Sequence, residues 1–220
     1  MPIDRITVHC LVGQWTAAEI GDYFARPATA ASCNYGVGKS GDIVCCVPEG
    51  DRSWCSSSAA NDNRAVTIEV ASDTYEPYKV TEAAFEALLN LCEDICRRNG
   101  KNKLIWIPDK TRALAYKPAA DEMLMTVHRW FAPKSCPGDY LLSRHSEIAD
   151  VVTRRLRGVT PVGEKVYNTI AEMPAAFREA LTWFVSNGIV QGTAAGLDLT
   201  RNMCRMLVFL YRTLKFLKLI

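Results

Sequence analysis

Long apolar runs are absent from this chain of 220 residues. No stretch approaches the roughly 18 apolar residues that a membrane-spanning helix needs, so no stable membrane span is expected. Residues 1–5 begin no apolar run of signal-peptide length either. We therefore expect the protein to fold in a reducing cytosol and to need another export route for any work outside it.

An excess of charge of either sign is also absent. The chain carries 26 Lys and Arg against 24 Asp and Glu, a net charge of +2. This balance argues against the general basic surface of a nucleic-acid-binding protein, so no nucleic-acid partner is expected. The local distribution differs, because residues 201–220 contain five basic residues and no acidic one.

A disulfide framework is the third missing feature, although the chain has nine cysteines. Cys45 and Cys46 are adjacent, and Cys92 and Cys96 share one face of a predicted helix. Thiols placed in this way usually behave as small buried apolar side chains, which again fits a reducing compartment.

The elements that are present alternate between strands and helices. Apolar runs predict strands at 6–10, 34–38, 42–47, 65–71, 103–107 and 125–128. Helical spacing and capping residues predict helices at 16–26, 81–98 and about 138–156, the first opened by a Thr16–Glu19 capping box. Residues 53–64 are rich in Ser, Ala and Asn and indicate a loop. This order predicts an α/β fold, with a mixed central β-sheet flanked by helices.

The pattern changes after a Gly- and Pro-containing segment at 158–165, which we interpret as a linker. Helices are predicted from 174 to 186 and from 200 to the end of the chain. The sequence thus predicts a first domain at 1–157 and a small C-terminal helical module at 166–220.

Three residues offer the best metal site that this chain could build. His9 ends an apolar run, and His128 and Cys136 bracket a nine-residue segment that leads into a helix. Two imidazoles and a thiolate leave a tetrahedral zinc one open position, which is typical of catalytic zinc. The alternatives are a structural histidine at His9 and a packed thiol at Cys136. His145, among charged helical neighbours, is expected at the solvated surface.

Six segments occur in an order that resembles a known family. They are residues 6–9, 34–41, 51–54, 63–69, 126–128 and 134–138. Together they resemble the type-2 N-acetylmuramoyl-L-alanine amidases, the family of phage lysozyme-type amidases and peptidoglycan recognition proteins. The resemblance spans roughly residues 3–155 and is closest to endolysins of phages or prophages of clostridia-like Gram-positive bacteria. It implies zinc as cofactor, bound by His9, His128 and Cys136, and cleavage of the bond between N-acetylmuramic acid and L-alanine.

The resemblance also implies two catalytic residues. Glu69 lies in an apolar strand, where a carboxylate is costly to bury without a partner or a task, and it is predicted to act as general base and then acid. The alternative is a structural ion pair with Arg64. Lys134, two residues before Cys136, is predicted to stabilise the oxyanion. Its alternative is a solvated loop lysine.

Substrate contacts are predicted at Tyr35, Trp54 and Asn63, which lie in the matching segments. For Trp54 the alternative is that it packs the loop against the sheet. Two departures from the family pattern stand out. Cys33 replaces an active-site Tyr of some members, and Cys55 replaces a His that follows the Trp in many relatives.

The C-terminal segment resembles a short helical module attached to similar endolysins and is distantly like surface-layer homology units. This implies attachment to the cell wall by 166–220. The alternative is that an apolar face packs on the preceding helix or on a second copy, which would give a homodimer. That predicted face comprises Met203, Leu207, Leu210, Leu214 and Leu217.

The function implied is therefore a zinc-dependent peptidoglycan hydrolase of the Gram-positive wall, held in the host cytoplasm until its release. One alternative is a receptor that binds peptidoglycan without cutting it, although inactive family members typically lack the Cys that Cys136 supplies here. Others are a membrane-active lytic protein driven by the basic C-terminal helix, and a bacterial autolysin or recycling enzyme.

Overall fold

The computed structural model describes residues 3–158, 166–192, 196–197 and 199–220, without the side chains at 201, 202 and 205. Contacts divide the chain into two compact units near residue 159. All but the first residue of the predicted linker, 158–165, lies outside the described residues. Within the described part, no helix is both long and apolar enough to cross a membrane.

The first unit is built on a six-stranded mixed sheet with the order β3-β2-β4-β1-β6-β5. Its strands are β1 (Arg5–Cys10), β2 (Tyr35–Val37), β3 (Ile43–Cys45), β4 (Ala65–Val70), β5 (Lys103–Ile105) and β6 (Glu122–Thr126). All neighbours are parallel except β2 and β3, which form the predicted antiparallel hairpin. The predicted mixed α/β sheet is confirmed.

The two central strands have one apolar face and one polar face. In β1 the apolar side chains are those of Ile6, Val8 and Cys10, which join the main core. Because side chains alternate along a strand, the residues between them point to the opposite face. The same alternation in β4 places Thr67 and Glu69 on that second face, which is polar yet almost wholly buried.

The first unit contains five helices among the described residues, and the two long ones cover the apolar face. The five are α1 (Ala17–Phe24), α2 (Ala59–Asp62), α3 (Glu82–Arg98), α4 (Lys110–Ala115) and α5 (Gly138–Leu156). The long helices α3 and α5 pack on each other and on the strands, and bury an apolar stripe that includes Leu88, Ile95 and Ile148. Helix α1 begins with the predicted capping box between Thr16 and Glu19.

Several predicted elements of this unit differ from the structure. The predicted loop 53–64 contains α2, whose four residues are too few for a periodic signal. Helix α4 was not predicted. The last strand, β6, ends at Thr126, so His128 lies beyond it in a short 3-10 turn, His128–Trp130.

The C-terminal unit contains two helices and a short two-stranded sheet. These are α6 (Ala175–Ser186), α7 (Arg201–Phe216), β7 (Val166–Tyr167) and β8 (Leu199–Thr200). The predicted helices are therefore present. Helix α7 packs on α6 through Cys204, Val208 and Tyr211, which form a small core with Leu181 and Phe184.

The apolar face predicted for the last helix is rotated relative to the packed one. Of its five residues, Leu207 packs against the core. Met203, Leu210 and Leu217 are exposed, with 43%, 44% and 56% of their surface accessible. The prediction that this face packs on the preceding helix is wrong for these three positions.

Candidate metal and catalytic centre

Three predicted ligands meet at one edge of the sheet. His9 lies near the end of β1, and His128 follows the end of β6, its parallel neighbour. Cys136 lies two residues before α5. Their ligand atoms all lie within 4.8 Å of one another, and Cys136 Sγ is 3.3 Å from His9 Nδ1. The sequence therefore identified three residues that the fold brings together across 127 positions of chain.

The donor set fits a zinc ion. At ordinary zinc–nitrogen and zinc–sulfur distances, a tetrahedral site needs nitrogen and sulfur ligands about 3.5 Å apart. The contact between Cys136 and His9 is close to that value. Burial, and next the nearby His128, lower the pKa of His9 to about 3, so its ring is neutral and can ligate metal.

The thiol of Cys136 has the opposite tendency in the protein alone. A hydrogen bond with Cys10, together with burial, raises the pKa of Cys136. A divalent cation at the site would favour the thiolate and reverse that direction. Metal binding by this centre would therefore release a proton.

Glu69 is a carboxylate beside the buried ligand His9. It is the register partner of His9 across β1 and β4, and its Oε1 lies 3.9 Å from His9 Nδ1. Cys55 donates a hydrogen bond from Sγ to Glu69 Oε1 at 3.6 Å, while Oε2 is buried with no partner among the described residues. Burial, and next the proximity of Cys10, raise the pKa of Glu69 well above its usual range. A carboxyl with a raised pKa can both accept and return a proton.

The structural alternative for Glu69 does not hold. Arg64 instead pairs with Asp4, to which its Nε donates at 3.0 Å. Glu69 therefore has no ion pair with Arg64, and its burial beside the ligands is left without that structural explanation.

A buried polar network below the centre was missed by the sequence analysis. Asn61 is fully buried, and its Nδ2 donates to Thr7 Oγ1 at 2.9 Å. Its Oδ1 accepts from Thr126 Oγ1 at 3.0 Å and from Arg5 at 3.2 Å. These bonds join α2 to β1, which contains His9, and to β6, which precedes His128. The polar–apolar alternation of β1 is the sequence signal for the polar sheet face on which this network lies.

Side chains around His128 are more exposed. Ser57 Oγ lies 3.1 Å from His128 Nε2. Lys134 is exposed. Burial, and next the charge of Lys134, lower the pKa of His128. Lys134 is thus close enough to influence the centre electrostatically, and its role as oxyanion partner stays a prediction.

Trp54 does not pack the loop against the sheet, because 64% of its surface is exposed. Its backbone N–H donates to Ser32 Oγ at 2.9 Å, and the Arg52 guanidinium lies 5.0 Å from its ring centroid. It lines a groove of about 340 Å³ together with Arg26 and Arg52. The next residue is Cys55, which contacts Glu69.

The other two predicted substrate residues lie elsewhere. Tyr35 belongs to the same sheet face as the apolar core, and its hydroxyl donates to Glu49 at 3.0 Å. Asn63 is exposed at the C-terminal end of α2. The structure does not bring Tyr35 to the ligand cluster, since Glu69 lies on the opposite face of the sheet.

The prediction of a solvated His145 is wrong. Its side chain is fully buried in α5, where Nδ1 lies 2.7 Å from Leu141 O. Its ring packs on Trp106 with centroids 4.6 Å apart. Burial lowers the pKa of His145 to about 4, so the ring is neutral inside the protein.

Together, the fold and the centre define an α/β protein with two histidines, a cysteine and a buried carboxylate at one sheet edge. The family model for N-acetylmuramoyl-L-alanine amidase matches residues 1–139, so the chain belongs to that family. No curated protein matches the sequence.

Solved structures resemble this chain at low sequence identity. A mutant of PlyL is 13% identical, with a TM-score of 0.50, over 69% of this chain and 85% of that one. The N-acetylmuramoyl-L-alanine amidase LysC from Clostridium intestinale is 15% identical, with a TM-score of 0.48, over 73% and 88%. Human PGRP-IBETAC, solved with glycosamyl muramyl pentapeptide, is 18% identical, with a TM-score of 0.48, over 66% and 83%. At such identities these likenesses concern the fold alone.

Proposed function

We propose that this chain is a zinc-dependent peptidoglycan hydrolase that cuts the amide bond between N-acetylmuramic acid and L-alanine. The observation that carries the proposal is the meeting of His9, His128 and Cys136 within 4.8 Å, with Glu69 next to His9. Family membership supports the choice of bond. The proposed setting is that of a phage or prophage endolysin, held in the host cytoplasm until it reaches a Gram-positive wall.

His9, His128 and Cys136 would hold the zinc. When bound, it would supply Lewis-acid polarisation of the scissile carbonyl and of the attacking water. The deep burial of His9 fixes one ligand before the metal arrives, since its strand is paired on both sides. A ligand held by the sheet lowers the cost of ordering the site.

Glu69 would move the proton. Its carboxylate accepts the proton as the water oxygen bonds to the amide carbon. It then donates that proton to the alanine nitrogen as the carbon–nitrogen bond breaks. The second proton of the water remains on the new carboxylic acid and then passes to the amine, so the products are the muramic acid carboxylate and the L-alanine ammonium group, and atoms and charge balance. Glu69 Oε2 is buried without a hydrogen-bond partner in the described part of the chain, which supports this role, because a purely structural carboxylate would have its second oxygen satisfied.

Two exposed residues, Lys134 and Trp54, would contact the substrate. Lys134, whose charge acts on His128, would stabilise the oxyanion that develops on the carbonyl oxygen. Trp54 would stack on a sugar or line the peptide groove. Its exposure beside Arg52, one residue from the Glu69 contact, supports this assignment.

The test is mass spectrometry of Gram-positive peptidoglycan digested by the full chain, with and without a zinc chelator. New free L-alanine amino termini that disappear on chelation and return with added zinc are expected. Binding of peptidoglycan without new termini would indicate the receptor alternative. Release of reducing sugar ends or of peptide-bridge amines would mean that a different bond is cut.

A further inference from the structure

Helix α7 has a second face that the core of its unit does not use. Its inner face, which includes Cys204, Val208 and Tyr211, packs on α6. On the opposite side, Met206 and Phe209 are 70% and 75% exposed. The unit therefore completes its core without these large apolar side chains, and their exposure needs another explanation.

The exposed apolar surface is continuous along the helix and beyond its end. Met203, Met206 and Leu210 follow helical spacing. Phe216, Leu217, Leu219 and Ile220 extend the same apolar character to the end of the chain. Next to α7, a groove of about 950 Å³ is lined by Ile189, Leu199, Met206 and Leu210. An apolar ligand therefore has both a surface and a groove available.

The C-terminal unit carries an excess of positive charge. Residues 166–220 carry six basic and three acidic residues, whereas residues 1–158 carry nineteen basic and twenty acidic. In residues 201–220 all five charges are positive. Lys215 is paired with Glu179 at 2.8 Å. Among the described residues, Arg212 and Lys218 form no ion pair. The apolar surface is thus accompanied by two cations that form no close ion pair with the part of the chain that the structure describes.

These charges distinguish between the partners that could cover the surface. A second copy would bring another set of five positive charges against the first, so like charges would oppose the association. An anionic wall polymer would satisfy the cations but would leave Met206 and Phe209 in water. A bilayer with anionic headgroups satisfies both, because basic residues meet the headgroups while aromatic and aliphatic side chains enter the acyl boundary.

We propose that α7 and the residues after it bind the surface of an anionic lipid bilayer, lying parallel to it. The helix is an interfacial one, since it has 16 residues and carries basic groups along its length. This surface would hold the protein at a membrane independently of the metal centre in the first unit.

The experiment is sedimentation of the full chain with three kinds of particle. They are vesicles of phosphatidylcholine alone, vesicles with one-third phosphatidylglycerol, and lipid-free Gram-positive walls. We expect binding to the anionic vesicles at least about tenfold tighter than to the neutral ones, and weaker in high salt. The main test variant combines Met206→Ser with Phe209→Ser. It should weaken binding to anionic vesicles at least about tenfold, because it removes inserted apolar area.

A control variant and a charge variant show whether vesicle binding is specific to α7. Tyr75→Ser removes a side chain that is 70% exposed on the first unit and should leave vesicle binding unchanged. Arg212→Gln with Lys218→Gln should weaken binding to anionic vesicles by about tenfold or more and reduce its salt dependence. Circular dichroism of each variant should match that of the parent, because none of these side chains belongs to the small core.

Three outcomes would overturn the proposal. One is binding to lipid-free walls with none to vesicles, which would assign the surface to a wall polymer. Another is a dimer in sedimentation equilibrium that Met206→Ser with Phe209→Ser dissociates, which would assign it to a second copy. The third is vesicle binding that these two substitutions leave intact.

Discussion

The two units of this chain place polar and apolar side chains in opposite ways. The first unit buries polar groups, including Thr7, His9 and Asn61, which are fully inaccessible. The C-terminal unit exposes large apolar ones: of the fourteen exposed large hydrophobic side chains that the structure describes, nine lie at or beyond Ile189. Burying a polar group has a cost unless it is hydrogen-bonded, and exposing an apolar one has a cost unless it is later covered. In each unit, the unusual placement of side chains therefore coincides with the proposed functional site.

The largest expected effect is the loss of zinc and of hydrolysis when a metal ligand of the first unit is replaced. Cys136→Ser should abolish zinc retention and lower amide hydrolysis by more than about 100-fold, since even the groups around metal ligands contribute 10- to 100-fold. Vesicle binding should not change. Zinc per chain, measured by inductively coupled plasma mass spectrometry, gives a readout besides activity. Cys45→Ser is the matched control, because Cys45 is exposed and lies outside the centre. Full zinc content in Cys136→Ser would refute the ligand assignment.

Glu69→Gln should separate chemistry from metal binding inside the first unit. Hydrolysis should fall by about 10²- to 10⁴-fold because no group remains to carry the proton. Zinc content should be unchanged, since the three ligands are intact. Glu82→Gln, an exposed change in the first turn of α3, serves as control. Activity equal to that of the parent protein would exclude Glu69 from the reaction.

Stability measurements should show that changing the polarity of one side chain has a large effect at a buried position of the first unit and a small effect at an exposed position of the C-terminal unit. Asn61→Ala leaves the polar partners of Asn61 buried and unsatisfied, and should lower the free energy of unfolding by about 3 kcal/mol. Met206→Ser, at an exposed position, should change it by less than about 0.5 kcal/mol. Urea unfolding followed by circular dichroism measures both. Equal effects would contradict the contrast between the units.

The smallest expected effect is on how the free energy of unfolding of the first unit depends on pH. His145 has a folded pKa of about 4 against an ordinary value of 6.5, so the fold favours its neutral form. Its contribution to stability is complete above pH 6.5 and is lost as pH falls toward 4, by about 2 kcal/mol at pH 5. His145→Gln should flatten this part of the stability curve. All three histidines lie in the first unit, so unfolding of the C-terminal unit should not share this dependence. An unchanged slope in the variant would show that His145 does not titrate in this range.

The sequence predicted the metal ligands better than their surroundings. Histidine is scarce in this chain, so His9 and His128 stood out, and Cys136, just before a predicted helix, completed a ligand set that the resemblance also implies. The network around Asn61 was not predictable from its loop-like local sequence, because it depends on contacts between segments 54 to 119 residues apart. Such contacts are set by tertiary packing rather than by local propensity.

The error at His145 has a different origin. Its charged neighbours, Arg144 and Glu147, suggested a solvated position. The residue nevertheless shares helical spacing with Leu141, Ile148 and Val152, all fully buried. Helical periodicity was the better guide there, since it specifies the face of the helix whereas sequence neighbours do not. In α7 periodicity alone misled, because more than one face of that helix is apolar.

The pairing of His9 with Glu69 across β1 and β4 makes the centre a reporter of correct folding. If one strand slipped by a single residue, the two side chains would turn to opposite sides of the sheet, since side chains alternate along a strand. A chain refolded in that wrong register could retain its helix content and still cut nothing. Recovered hydrolysis would therefore count the correctly assembled molecules in a refolding mixture, a quantity that circular dichroism alone does not provide.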